Sequence, residues 1–197
     1  MRASKLEQVI TLIDEANAAD PRTEIHEGKE WPKEQIYGIR MMEWVQRLDP
    51  LANDALLIAA RAQHIRRWEI PRSDYPEGKA GYYQWRTFLY TWHAEQVLAL
   101  MEQIGYEAQA IEAMQAAMQK KNLRTNSNTQ CLEDAAALVF LENHSTEFAE
   151  RDDINEEKLI KIIQMTWGKM SGAGQQAALE LVLPDRVAAL VGKALEI

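Results

Sequence analysis

Basic and aromatic side chains are concentrated between residues 60 and 86. The stretch contains Arg61, His64, Arg66, Arg67, Arg72, Lys79 and Arg86, with Trp68, Tyr75, Tyr82, Tyr83 and Trp85 between them. Three carboxylates oppose this charge, although the whole chain has a formal net charge of -8. Arginine binds phosphate and carboxylate groups through two parallel hydrogen bonds, and aromatic rings pack against flat ligands. The stretch therefore predicts a site for an anionic small molecule, with a nucleotide or another phosphorylated metabolite as the best candidate.

His64 is the candidate catalytic group in this stretch, because a histidine is the usual general acid or base near neutral pH. Arginines around it would stabilise negative charge that develops during a reaction. The third predicted helix puts Arg61, His64 and Trp68 on one face, with Arg61 and His64 towards the ligand and Trp68 as a wall of the site. The alternative is a half-buried helix in which the same residues pair with neighbours and have only a structural role.

The next helix offers a second set of site residues. Arg86, Tyr90 and His93 recur at helical spacing and form one stripe, which either lines a cavity or lies on the surface. Arg67, at the end of the preceding helix, adds to the ligand-binding set, and so do two residues of the intervening loop, Arg72 and Tyr75. The neighbouring stripe through Trp85, Leu89 and Trp92 is typical of a hydrophobic core.

A third candidate element is the sixth predicted helix, which contains Glu133 and Asp134 and is otherwise apolar on every side. Such a helix is buried, and Asp134 shares its face with Leu138 and Leu141. A buried carboxylate needs a cation or a hydrogen-bond donor as partner. We therefore predict that Asp134 is the acidic catalytic counterpart of His64, with Glu133 beside the ligand. A structural salt bridge is the alternative. On the first interpretation His64, Arg67, Arg86 and Asp134 converge on one cavity.

The elements that position these residues are predicted to be helices throughout. Apolar spacing and the breaks at proline and glycine indicate helices at about 4–18, 32–48, 53–68, 80–104, 107–121, 127–144, 155–170, 174–182 and 184–195. Ser127 and Gln130 fit a capping box for the sixth helix. No strand is predicted. The expected fold is all-α, one compact multi-helix domain over 1–197, with a core at about 30–150 and C-terminal helices 155–197 packed on it.

Composition limits the classes of partner. The acidic balance argues against nonspecific nucleic-acid binding, which needs a basic face. No apolar run is long enough to predict a membrane span, and the one cysteine, Cys131, excludes an internal disulfide. We therefore expect a cytoplasmic protein that binds no nucleic acid and no membrane. The sequence does not predict a protein partner.

Several segments resemble an uncharacterised family, domain of unknown function family 4202. They are Tyr37-Gly-Ile-Arg-Met, the segment 59–72 that runs from Ala-Ala-Arg-Ala-Gln-His through Trp-Glu-Ile-Pro-Arg, Tyr75-Pro, Gly81-Tyr with Trp85-Arg, Gln130-Cys-Leu-Glu-Asp with Leu138-Val-Phe-Leu, and Thr166-Trp-Gly-Lys-Met. The segments span most of the chain. The resemblance implies no activity.

The order of the helices also resembles the HD-domain phosphohydrolases, in which histidines and aspartates hold a divalent metal that activates water against a phosphoester. The resemblance implies an HD-like helical core. It puts Tyr37 at the first histidine position, Gln63 and His64 at the His-Asp dyad, and Asp134 at the last aspartate. Because Tyr and Gln are uncommon metal ligands, we expect no tightly bound cofactor, and a divalent metal is the disfavoured alternative.

Overall fold

The computed structural model describes residues 3–149 and 155–196. The described residues form ten α-helices and one two-stranded antiparallel sheet, which confirms the mainly helical fold. The elements are α1 (Lys5–Asn17), β1 (Thr23–His26), β2 (Lys29–Pro32), α2 (Lys33–Leu48), α3 (Asp54–Arg61), α4 (Gly78–Ile104), α5 (Ala108–Met118), α6 (Ser127–Val139), α7 (Ser145–Ala149), α8 (Glu156–Trp167), α9 (Gly172–Leu179) and α10 (Asp185–Leu195). The chain divides into two compact units, Met1–Leu132 and Glu133–Ile197.

The first unit is a bundle in which α3 is central. Helix α3 packs against α2, α5 and α1, while α4 packs against α1 and α5. Six consecutive residues of α3, from Ala55 to Ala60, are buried, as befits a helix surrounded by others. Other large core side chains of this unit include Val9, Ile13, Ile36, Met41, Val45, Leu89, Val97, Met101 and Met114.

In the second unit, α10 packs against α7 and α8. Leu159 and Leu190 are buried there, with Ile160 and Ile163 against them. A π-helical segment, Phe140–His144, continues α6 and leads into α7. Asn155 begins α8 by accepting a hydrogen bond from the Lys158 amide at 2.9 Å.

The prediction that the chain lacks strands is wrong at one place. Strands β1 and β2 pair with His26 opposite Lys29 and Thr23 opposite Pro32. The two turn residues, Glu27 and Gly28, both have positive φ, at 51° and 74°. This is the combination that suits a tight two-residue hairpin. Each strand has four residues, which is too short for an alternating pattern to be recognised in the sequence.

The third helix is also shorter than predicted. Helix α3 ends at Arg61 instead of Trp68, and residues 62–66 form turns that lead to a 3-10 turn at Arg67–Glu69. Arg66 takes a left-handed conformation with φ 51°. Its amide donates to the side-chain oxygen of Asn17 at 3.0 Å, so a buried residue of α1 holds this turn. The predicted common face of Arg61, His64 and Trp68 is therefore wrong.

The start of α6 differs from the prediction by one residue. Asn126 accepts a hydrogen bond from the Thr129 amide at 3.1 Å, which is the bond of an N-cap residue. Ser127 lies inside the helix, so the predicted capping box with Gln130 is wrong. The remaining predicted helices are confirmed within a few residues at each end, and Gly105 ends α4 with φ 81° as expected.

Among residues 3–149 and 155–196, no helix has the length and apolar character needed to cross a bilayer.

Candidate anion-binding site

A chain of three side chains, Glu34, His64 and Arg67, forms the centre of the candidate site. The Nδ1 atom of His64 lies 3.0 Å from Oε2 of Glu34, and its Nε2 atom lies 2.8 Å from Nη1 of Arg67. Guanidinium nitrogens only donate hydrogen bonds. Nε2 of His64 is therefore the acceptor, and the imidazole proton lies on Nδ1, where it is donated to Glu34. The contacts thus fix which tautomer the imidazole has when it is neutral.

Glu34 is a charged residue in a buried place, with 4% of its surface exposed. Burial raises the pKa of its carboxyl. The electrostatic interaction and the hydrogen bond with His64, together with the charges of Arg67 and Arg22, outweigh burial and lower this pKa to about 2. Arg22 donates to Oε1 of Glu34 at 2.7 Å and also pairs with Asp20 at 3.0 Å. Glu34 is therefore a carboxylate at every physiological pH, and it orients His64.

Close helix packing brings Glu34 and Tyr37 of α2 to His64. A Cβ atom on Gly38 would lie well inside 3.0 Å of the backbone carbonyl oxygen of Arg61. Glycine at position 38 therefore permits α2 to lie directly against the end of α3. As a result, the ring of Tyr37 stacks on the imidazole of His64, with centroids 4.0 Å apart and an interplanar angle of 6°.

Arg67 is surrounded mainly by rings. Its guanidinium carbon lies 4.7 Å from the centroid of Trp85, a cation–π distance. Burial lowers the pKa of the guanidinium, because Glu34, Tyr37 and Tyr82 offset only part of the lost hydration. In the described ranges 3–149 and 155–196, no carboxylate comes within the 4.0 Å ion-pair distance of Arg67. Among the described residues, Glu34 is the carboxylate that compensates its charge, and it does so from beyond ion-pair distance.

Arg86 of α4 forms its hydrogen bonds with tyrosine hydroxyl groups. It donates to the hydroxyl of Tyr90 and, at 3.2 Å, to that of Tyr82. No described carboxylate lies within ion-pair distance of Arg86 either. Lys120 adds a further positive charge, 5.3 Å from the ring centroid of Tyr90. Tyr82 thus lies beside both arginines.

His93 is buried behind His64, with ring centroids 6.1 Å apart. Burial lowers its pKa well below the usual range, and the neighbouring His64 and Arg67 lower it further. Its Nε2 atom is buried without a hydrogen-bond partner among the residues that the structure describes. His93 is therefore neutral, and it limits the depth of the site.

The ligand set implied by the HD resemblance does not fit a metal here. Both imidazole nitrogens of His64 are engaged, one by Glu34 and the other by a guanidinium. Gln63, at the other dyad position, has a buried side-chain oxygen with no described partner. No group of three or more His, Cys, Asp or Glu residues suited to holding a metal occurs in the described parts of the chain.

Two other predicted ligand-binding arginines make contacts that suit structural roles. Arg61 forms a two-pronged pair with Asp14, with both bonds at 2.7 Å, and so joins α3 to α1. Arg72 donates to the backbone carbonyls of Tyr75, Pro76 and Gly78 and holds its own loop in place. The ring of Tyr75 lies 6.2 Å from that of Phe88.

Asp134 and Glu133 belong to the second compact unit. Asp134 is buried, as predicted, and its carboxylate accepts from the amide of Ser171 at 2.9 Å and from its hydroxyl at 2.6 Å. Ser171 in turn caps α9 by accepting from the Gly174 amide. Glu133 lies 4.0 Å from Nζ of Lys169. A catalytic role for Asp134 stays a prediction, whereas its structural contacts are direct.

Replacing Asp134 with alanine should destabilise the second unit, because the two donors of Ser171 would lose a buried acceptor. We expect a cost of roughly 1–3 kcal/mol in the free energy of unfolding, measured by urea denaturation. Ser171→Ala and the double variant complete a mutant cycle. Costs that simply add would show that the Asp134–Ser171 contact is not the source of the effect.

Sequence reasoning missed the carboxylate of the site. Glu34 follows Pro32 by two residues and looks like an ordinary acidic residue in the first turn of a helix. Asn17 and Asp20 were also missed, although Asp20 accepts from the Glu34 amide at 3.2 Å and helps to begin α2. No spacing in the sequence links these residues to His64, because the connection is tertiary.

The described fold and site can now be set beside known proteins. The family model Domain of unknown function (DUF4202) matches residues 7–191. The match covers most of the chain, so the protein belongs to the DUF4202 family. It includes Glu34, His64, Arg67 and Arg86, which we call the His64 cluster. No curated protein matches the chain, and neither does any solved structure.

Proposed function

We propose that the cluster of His64, Arg67 and Arg86 binds a phosphate-bearing small molecule. The observation that carries this proposal is Arg67, a largely buried guanidinium held by an imidazole nitrogen and an indole ring without a described carboxylate partner. A phosphate would complete the compensation of its charge through charge-assisted hydrogen bonds. Arg86 lies beside the same tyrosine, Tyr82, and supplies a second donor group.

The rings around the arginines favour a ligand that also has a flat part. Tyr82, Trp85 and Tyr90 are all partly exposed or exposed, so each still has surface for contact. Stacking on such rings is typical of nucleobase recognition. A nucleotide therefore fits the combination of two arginines and several rings better than inorganic phosphate alone does.

An enzymatic version of this proposal assigns the proton transfer to His64. Glu34 fixes the imidazole tautomer, so that Nε2 has the lone pair that a general base needs. The side chain of His64 is 21% exposed and can reach a bound ligand. A water molecule next to the phosphate would give its proton to Nε2 while its oxygen forms a bond to phosphorus and the ester P–O bond breaks. The protonated imidazole would then give that proton to the leaving oxygen, and the arginines would stabilise the negative charge of the transition state. The reaction class is phosphoester hydrolysis.

The rival proposal is a non-catalytic domain that senses a ligand or binds a protein. The contacts of Arg61 with Asp14 and of Arg72 with its own loop support it, because they suit structural roles for two arginines of the basic stretch. Turnover distinguishes the two, since both versions bind an anion but only one releases phosphate. A cytoplasmic location is part of both proposals, and subcellular fractionation tests it.

The binding test is a thermal-shift titration with AMP, ATP, glucose 6-phosphate and inorganic phosphate. A ligand at about 100 times its Kd stabilises the native state by about 2.7 kcal/mol, which raises the melting temperature by several degrees. Arg67→Gln should weaken binding by roughly ten- to a hundred-fold, the scale of a hydrogen bond to a charged group. The matched control is Arg66→Gln, which removes the same charge from an exposed neighbour and should leave the titration unchanged.

The outcomes separate the proposals. If none of these compounds shifts the folded wild type, or if Arg66→Gln and Arg67→Gln weaken binding equally, the site proposal is wrong. If a compound binds and phosphate is released, His64→Gln should abolish the release while retaining the thermal shift. Binding without release supports the non-catalytic version. Asp134→Ala belongs in the same titration, because loss of the shift in a folded variant would place Asp134 at the ligand.

A further inference from the structure

Helix α4 has an open face that takes no part in the His64 cluster. A groove of about 650 Å³ runs along it and is lined by Ala80, Tyr83, Gln84, Thr87, Phe88, Thr91, Trp92 and Glu95. Tyr83 is 53% exposed and Phe88 is 45% exposed. We call this surface the α4 groove. Exposed aromatic side chains that lie together on one helix are typical of an interaction surface.

The α4 groove is long and almost without charge. Its lining residues recur at three- and four-residue steps over about four helical turns, so they form one continuous stripe of roughly 22 Å. Among the lining residues that the structure describes, Glu95 at the C-terminal end is the one that carries charge, and Lys79 adjoins the N-terminal end. A charged peptide or a nucleic acid would find few complementary groups along this stripe. The partner must instead present an apolar and aromatic surface of its own.

The lining residues of the α4 groove are spaced symmetrically about the middle of the stripe. Counted from a midpoint between Thr87 and Phe88, the lining positions form equidistant pairs, 80 with 95, 83 with 92, and 84 with 91. A second copy of α4 running in the opposite direction therefore presents lining residues at the same levels, with Phe88 close to its own counterpart. Lys79 of each copy then lies near the end that carries Glu95 of the other. A parallel copy would bring like charges together.

We propose that the α4 groove is the interface of an antiparallel, two-fold symmetric dimer of this chain. Two-fold symmetry is the commonest arrangement of homo-oligomers, and it requires a surface that is complementary to itself. The eight lining residues that the structure describes are fewer than the roughly 20–30 residues per partner of a standard interface. The dimer is accordingly weak, with a Kd in the micromolar range or above, and it exchanges with the monomer.

Sedimentation velocity on the full chain, from about 5 to 500 µM, tests the dimer. The weight-average sedimentation coefficient should rise with concentration from the monomer towards the dimer value. Phe88→Glu, which places two carboxylates near the symmetry axis, should weaken association at least tenfold. Its matched control is Leu51→Glu, which introduces the same charge at a side chain that is 92% exposed and outside the α4 groove, and it should associate as the wild type does.

A charge exchange tests the antiparallel direction. Glu95→Lys should weaken the dimer because two positive groups would meet at each end, and adding Lys79→Glu should restore it. Thr87→Cys in a Cys131→Ala background should form a disulfide-linked dimer on oxidation, because position 87 lies next to the axis. A monomer at every concentration overturns the proposal. A dimer that Phe88→Glu leaves intact overturns it too, since another surface would then be responsible.

Discussion

Replacing Glu34 with glutamine should lower the free energy of unfolding by about 3 kcal/mol at neutral pH, the scale on which buried ion pairs fail when one partner is removed. The carboxylate is buried and compensates Arg22 while it accepts from His64, and Arg67 lies next in the chain of contacts. A neutral amide leaves those cations without their counter-charge. Urea denaturation measures the loss. Glu43→Gln is the matched control, because Glu43 lies exposed on the same helix and should change stability by only a few tenths of a kcal/mol.

The pH dependence of this difference is a stricter test of the same contact. The folded-state pKa of Glu34 is about 2, below its ordinary value of 4.5. A depressed carboxyl pKa contributes stability that is fully present above about pH 4.5 and is lost as the pH falls towards 2. The gap in stability between the wild type and Glu34→Gln should therefore shrink over this window. A gap that stays constant from pH 6 to pH 3, roughly, would show that the charge of Glu34 is not the cause.

Gly38→Ala should cost roughly 1–3 kcal/mol of stability, the range for overpacked cores. The added methyl group would meet the backbone carbonyl of Arg61, which cannot move aside as a flexible side chain could. The clash outweighs the gain of about 1 kcal/mol in helix propensity that alanine brings. Thermal and urea unfolding measure the net effect. Because the clash separates α2 from the end of α3, the variant should also bind phosphate compounds more weakly.

Gly172→Ala is the control for that substitution. Gly172 also lies in a helix, and a Cβ atom there would meet nothing within 4 Å. Alanine at this position should be neutral or stabilising by up to about 1 kcal/mol. If Gly38→Ala is equally harmless, the close approach of α2 and α3 does not limit what position 38 accepts.

The helices could be predicted from the sequence because each has local signals. Apolar residues recur at helical spacing along α1, α2, α4 and α8, and proline, glycine or asparagine marks their ends. The end of α3 could not be predicted, because nothing local stops a helix between Arg61 and Trp68. The helix ends at Arg61, and the turns that follow it are held by Asn17, almost fifty residues earlier in the chain, which accepts a bond from the Arg66 amide.

The candidate site was also predictable only in part: its basic residues were, and its carboxylate was not. His64, Arg67 and Arg86 stand out by residue type and density, and the structure places the first two in contact and both arginines beside Tyr82. The sequence predicts Asp134 as the acidic partner of His64, whereas the carboxylate that accepts a hydrogen bond from His64 in the described residues is that of Glu34. An acidic residue in the first turn of a helix is too common to attract notice. Which acid reaches an imidazole depends on how closely two helices pack, and at this place that depends on Gly38.

The contact between His64 and Arg67 has a consequence for the timing of any proton transfer. Nε2 of the imidazole cannot accept from a guanidinium and take up a proton at once. In this contact, Nε2 therefore could not act as the general base of the proposed reaction. An anion that draws Arg67 towards itself would uncover the lone pair at the moment when a substrate arrives. Until such an anion binds, Nε2 would stay bonded to Arg67 and would not take a proton from water.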